Sequence, residues 1–271
     1  MAAVAAVAVA VVALAAAAAA RAMAIHLRMF MNTTLPTRQS ADSRAIRPAQ
    51  VGFPPTRRAG MFRGDDSMPG ETSQAEDGVM EMAGVDVLLD PAFTMPAVPE
   101  AATGVGWIRC MVPRFCDGDA HARRRALAEQ VIAQIGHPPR SSSPTAALLE
   151  ALGLAPGLES DVAAIALAYQ PHVPVPPEVD AAADRLVAAC GGRTEESAAR
   201  VCVLVQAHAA VLALIDRRRT ADDAPAVPVT RRIAPDGREI LVDLAAAPFG
   251  AGRHACPGQA LALYLADAGH Q

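Results

Sequence analysis

The chain has 271 residues, a formal net charge of −4, 52% hydrophobic residues and only 3% aromatic ones. Such a length allows one or two domains and a sizeable core. The mild negative charge, with all 24 basic residues being arginine, gives no global pointer to nucleic acid or to an acidic membrane surface.

Met1 to Ala20 is an unbroken apolar run of thirteen Ala, five Val, one Leu and one Met. It is long enough to span a bilayer. Arg21, His26 and Arg28 follow, so a spanning helix would leave the rest of the chain in the cytoplasm. No basic residue precedes the run, which argues against a cleaved signal peptide. Alanine is only weakly membrane-seeking, so the expectation is a cytoplasmic protein with an Ala-rich lead, and an N-terminal membrane anchor is the alternative. Residues 32–84 are rich in Pro, Gly, Ser, Thr, Arg and Asp without a sustained period, as a linker is. The chain therefore divides into a lead and linker over 1–84 and a structured domain over 85–271.

Within that domain a helix is expected over Asp119–Ile135, with Asp117 and Asp119 as cap candidates and Gly136 past its end. A second runs from Val179 to Cys190 and is closed by Gly191-Gly192. The clearest covers Thr194 to Arg218. Thr194 can cap it, Glu195 and Glu196 suit its positive end, and Arg217 to Arg219 suit its negative end. Its middle, Val201 to Ile215, is apolar nearly all round and should be buried on most faces. A hairpin follows, Val227 to Ala234 and Glu239 to Leu244 about a turn at Pro235-Asp236-Gly237, then a glycine-rich loop and a short helix from about Pro257. The fold class expected is mainly α, an α+β helical core with a small β-hairpin before the loop.

The five cysteines are Cys110, Cys116, Cys190, Cys202 and Cys256. An odd count without short paired spacings argues against a disulfide framework and for a reducing compartment. Cys256 stands apart because it lies in a glycine-rich loop, Phe249-Gly250-Ala251-Gly252-Arg253-His254-Ala255-Cys256-Pro257-Gly258. Gly250 and Gly252 permit unusual backbone conformations, and a cysteine just before a helix meets free amides that favour the thiolate.

This loop resembles the haem-ligand signature of the cytochrome P-450 family, Phe-x-x-Gly-x-x-x-Cys-x-Gly. The resemblance implies a shortened helical core of that family with haem b on the Cys256 thiolate. It implies that Phe249 covers the sulfur, that Gly252 shapes the loop and that Gly258 lets the chain approach the porphyrin. It extends upstream: Asp86 to Phe93 resembles the family's B-helix entry, and Phe115 to Leu127 its C helix, in which His121 and Arg125 would grip haem propionates. Thr230 to Ala234 resembles the strand whose arginine pairs with a propionate, Arg232 being the better match, and His254 matches a further propionate partner.

Two departures are plain. Where the family's central helix carries Ala-Gly-x-Asp/Glu-Thr, this chain has Gln206-Ala207-His208-Ala209-Ala210, so alanines stand at the acid and threonine positions. Those groups ordinarily relay protons during oxygen cleavage. His208 is the nearest titratable group, although an internal histidine in an apolar helix is more often a satisfied core residue. The family's Glu-x-x-Arg pair is also missing, and Asp216 to Arg219 offers only an Asp-x-x-Arg imitation.

The function these readings imply is a haem-thiolate oxidoreductase, nominally a monooxygenase on a small apolar or natural-product substrate. Its electrons would come from a separate ferredoxin or flavoprotein, since no segment reads as a nucleotide or flavin site; no nucleic-acid partner is expected. The alternatives are a degenerate haem-binding protein without turnover, acting as a sensor or accessory partner, and a non-haem helical protein.

Overall fold

The structure is a computed structural model in which residues 81–220 and 225–268 are described. The apolar run at the N-terminus and nearly all of the linker lie outside the described residues. The first strand, β1 (Met82–Ala83), lies within the segment that the sequence assigns to the linker, just before a 3-10 turn over Val85–Leu88.

Seven α-helices follow among the described residues: α1 (Gly104–Met111), α2 (Gly118–Ile135), α3 (Pro144–Ala151), α4 (Glu159–Leu167), α5 (Pro177–Ala189), α6 (Glu195–Thr220) and α7 (Gln259–Ala268). Strands β2 (Val229–Ile233) and β3 (Glu239–Asp243) lie between α6 and α7. This is the mainly helical α+β architecture expected from the sequence.

The helix ends follow local chemistry. Gly136 closes α2 at φ 58°, and its N–H bonds the Ile132 carbonyl at 3.1 Å. Thr194 Oγ1 accepts from Ser197 N at 3.2 Å at the start of α6, as a threonine cap does. Ser143 Oγ accepts from Ala146 N, and Pro144 occupies the first turn of α3.

Helix α1 is capped from outside itself. Asp184 accepts from Gly104 N at 3.0 Å and Asp180 from Val105 N at 2.8 Å. These aspartates are one turn apart on α5, so they pin α1 to it. At the other end Arg109 donates to the carbonyls of Ala168, Tyr169, Gln170 and Val173, gathering the chain as it leaves α4.

Helix α6 is about 39 Å long at 1.5 Å per residue and packs against all six other helices. Val201, Leu204, Val205 and Val211 are wholly buried on it. It is long and apolar enough to cross a membrane, yet it is the core helix of this fold. Glu195 in its first turn accepts from Arg123 at 2.7 Å and Arg124 at 2.9 Å. The Arg123 and Arg124 hydrogen bonds hold the Glu195 carboxyl down to about 2 and tie α6 to α2.

The sheet order is β1-β3-β2. Strands β2 and β3 pair antiparallel with Val229 opposite Asp243 and Ile233 opposite Glu239, and β1 pairs parallel with β3. Gly237 makes the turn at φ 86°. The sheet has its own small core of Leu88, Ala234, Ile240, Val242 and Leu244, with Ala251 of the glycine-rich loop packed on it. The loop is thus held between the sheet and the helical core.

Candidate functional site

The loop after β3 is wound by its own backbone. Gly250 N donates to the Ala247 carbonyl and Cys256 N to the Phe249 carbonyl, both at 2.8 Å. The Phe249 ring packs against the helical core. Gly250 and Gly252 have φ of 72° and 61°. At Gly252 a Cβ would stand 2.4 Å from the Leu88 carbonyl oxygen, so glycine is needed there by both backbone conformation and space. Gly258 differs: a Cβ there would meet Ile132 Cδ1 at 3.6 Å and Cys256 Sγ at 4.0 Å, ordinary contacts. The protein's own packing does not demand that glycine, which leaves room beside the sulfur.

A contrast in stability follows. Gly252→Ala should lower unfolding free energy by about 2 kcal/mol or more, whereas Gly258→Ala should change it little. Urea unfolding of both variants measures this, and equal stabilities would show that the loop does not keep its contact with Leu88.

Cys256 lies three residues before α7 rather than at its first turn. Cys256 is exposed at the residue level, and burial of the sulfur raises its thiol pKa. The Gly258 amide and the charges of Arg114 and Arg125 act in the opposite sense and favour the thiolate.

Cationic and imidazole groups collect on one side of the loop. The His121 and His254 rings have centroids 4.1 Å apart. Arg125 donates to the carbonyls of Arg253 at 3.2 Å and Ala255 at 2.6 Å, and it pairs with Glu129 at 2.8 Å. Arg232 is 5% exposed. It bonds Thr230 Oγ1 and the Arg231 carbonyl and forms no ion pair among the described residues. Burial lowers its pKa to about 10 although Asp117 pulls the other way. His254 is lowered to about 4, first by burial, and the charge of Arg232 contributes to that shift. The four groups His121, Arg125, Arg232 and His254 are therefore brought together beside the Cys256 loop.

Asp117 sits among them and has a different role from the cap expected of it. Its side chain makes no cap bond to α2. It accepts instead from Met95 N at 2.6 Å, His254 Nε2 at 2.9 Å and Arg253. Burial pushes its carboxyl up, but these donors outweigh it and hold the pKa below the usual carboxylate value. The neighbouring arginine run divides its work: Arg123 and Arg124 go to Glu195, and Arg125 alone turns to the loop.

On α6, Cys202, Gln206 and Ala209 share one face, Gln206 and Ala209 each lying within about 40° of Cys202 at 100° per residue. Burial dominates the raised pKa of Cys202 on this face, and Cys256 is a minor contributor to it. His208 lies roughly 120° away from Cys202 on that wheel. Its Nδ1 is 2.7 Å from Thr145 Oγ1 in a buried pair with α3. Burial lowers its pKa. His208 is a satisfied core residue and does not stand in for the acid missing at Ala209. Asp216 and Arg219 form no ion pair among the described residues; Arg218 reaches across to Asp267 of α7 at 2.5 Å instead.

No group of three or more His, Cys, Asp or Glu side chains suited to a metal occurs among the described residues. An iron on Cys256 would need further ligands from a macrocycle. The residues present suit one: an exposed cysteine at the end of the loop, a glycine near it that the protein's own packing does not demand, and a buried arginine without an ion pair among the described residues.

No protein-family profile matches the chain, and no curated protein matches it. Among solved structures it is similar to P450BioI, determined in complex with hexadec-9Z-enoic acid ligated acyl carrier protein. The TM-score is 0.51 at 15% identity, and the match covers 69% of this chain and 81% of that one. The fold is P-450-like.

Proposed function

We propose that this chain is a haem-thiolate oxidoreductase of cytochrome P-450 type, nominally a monooxygenase on a small apolar or natural-product substrate. The observation that carries it is the meeting of Cys256, at the end of a glycine-wound loop, with His121, Arg125, Arg232 and His254 on a P-450-like fold. Cys256 would hold the iron of haem b, and Phe249, Gly252 and Gly258 would shape the loop beneath it. Arg232 would take a haem carboxylate, because an unpaired buried charge is expensive and an anion would offset it. His121, Arg125 and His254 would complete that side. A thiolate-bound haem supplies oxygen activation, the thiolate favouring O–O cleavage.

A separate ferredoxin or flavoprotein would supply electrons. The neighbour's complex with a carrier protein supports a protein partner of some kind. The cytoplasm is the proposed location. A second reading, a haem-binding protein without turnover, is favoured by Ala209 and Ala210 on the central helix. The test is the absorbance spectrum of the purified, reduced and CO-bound protein. A thiolate-type band supports both readings; a histidine-type band, or no haem, ends both.

A further inference from the structure

A carboxylate among groups expected to face an anion is out of place unless it serves the protein itself, and Asp117 is such a group. Its partners are all donors. Oδ2 accepts from Met95 N at 2.6 Å, while Oδ1 accepts from His254 Nε2 at 2.9 Å and pairs with Arg253 Nη2 at 3.1 Å. A carboxylate accepts on both oxygens and donates on neither, so one side chain can serve all three. The charge on it strengthens each bond. The proposed function gives Asp117 no part.

These partners belong to two stretches of chain far apart in sequence. Met95 ends a strap, residues 81–95, that is fastened to the sheet twice. Its β1 pairs with β3, and Thr94 exchanges backbone bonds with Ile233 at 3.0 and 2.8 Å. Arg253 and His254 stand three and two residues before Cys256. The strap also meets their loop directly: Arg253 Nη2 donates to the Phe93 carbonyl at 2.6 Å, and the Leu88 carbonyl oxygen stands where a side chain on Gly252 would begin. From the other side, Arg125 of α2 holds the Arg253 and Ala255 carbonyls. The loop is thus gripped between the strap and α2, and Asp117, at the head of α2, bonds to both strap and loop.

We propose that Asp117 is a positioning residue for Cys256: by bonding Met95, Arg253 and His254 at once, it locks the strap onto the loop and fixes where the thiol is presented. The inference deepens the proposed function by naming the group that sets its ligand loop. It rests on that reading for the haem but not for the lock.

Hydrogen exchange of the purified full chain, followed peptide by peptide, tests the lock and needs no cofactor. In Asp117→Ala, residues 249–256 and the strap around Met95 should exchange about tenfold faster or more, the scale of one lost hydrogen bond to a charged group. The middle of α6 should keep its wild-type rates. Asp117→Asn keeps one acceptor oxygen and turns N–H groups toward a donor on the other side, so it should loosen the same two segments to a smaller extent. If the alanine variant does not fold, the asparagine variant carries the comparison. Asp119→Asn removes an exposed charge from the same first turn of α2 and should leave both segments as they were. With haem bound, Asp117→Ala should lose most of its thiolate-type CO band to a non-thiolate form. Wild-type exchange in both Asp117 variants would overturn the proposal. So would loosening of only one segment, a uniform rise that includes α6, or an unchanged thiolate-type band in the loaded alanine variant. Loosening confined to strap and loop, in a wild-type chain that shows no thiolate-type band, would sink the proposed function and leave the lock standing. A normal band with unchanged exchange in the variants would do the reverse.

Discussion

Replacing Cys256 with alanine should abolish the thiolate-type spectrum of the reduced, CO-bound protein, whereas Cys202→Ala should leave it in place. The two thiols share a neighbourhood but not an environment. Cys202 is 2% exposed. Its sulfur accepts from both Gln206 and Tyr169, and burial pushes its pKa to about 11. Cys190 is likewise buried and pushed to about 11. Neither is presented to a ligand the size of a porphyrin. Cys256 is exposed at the end of its loop; burial raises its thiol pKa too, but the Gly258 amide and two arginine charges oppose that shift. Alanine at 256 removes the only sulfur in that position and leaves the backbone bond to Phe249 intact, so loss of the spectrum should come without loss of the fold. The melting temperature of the variant checks the second half. An unchanged spectrum in Cys256→Ala would remove the main claim of the proposed function.

What the sequence made legible was whatever is written in punctuation or in long apolar runs. Gly136, Gly191 and Gly237 mark real chain reversals with positive φ, and the twenty-six-residue α6 is apolar enough to be read as central. Helices α1, α3 and α4 were not anticipated. They are eight, eight and nine residues long, too short to display a clear period, and α1 takes its first amides' acceptors from α5, 75 and 80 residues away. Strand β1 is two residues long and exists because β3 offers it an edge. At the site, the loop glycines and the four cationic or imidazole positions were implied by the resemblance to the cytochrome P-450 family; in isolation the arginine-rich helix reads as a solvated face. Asp117 could be read only as a helix cap, because its partners Met95, Arg253 and His254 are remote in the chain.

The second large effect concerns oxygen. Hydroxylation with dioxygen inserts one oxygen atom into a C–H bond and reduces the other to water, consuming two electrons and two protons from outside. With hydrogen peroxide the same product and one water form without added electrons or protons. The protons of the first route need a donor beside the reacting centre. Ala209 lies within about 20° of Cys202 on the α6 wheel, and neither it nor Ala210 carries a titratable group. His208 is turned to Thr145. Gln206, the nearest polar side chain on that face, is engaged with Arg114 and Cys202 and does not titrate. Loss of a general acid costs roughly 10²–10⁴-fold, so turnover with ferredoxin and reduced nicotinamide should be slow and poorly coupled, and peroxide should support product formation better. A glutamate or aspartate restored at 209 should raise product per electron in the ferredoxin-driven reaction and change the peroxide reaction much less. The measurement is product formed per electron consumed, against product formed with peroxide, on small apolar substrates. Tight coupling through ferredoxin in the wild-type chain would mean that ordered water or another group replaces the missing acid. No turnover by either route, with a thiolate-type spectrum intact, would select the haem-binding protein without turnover.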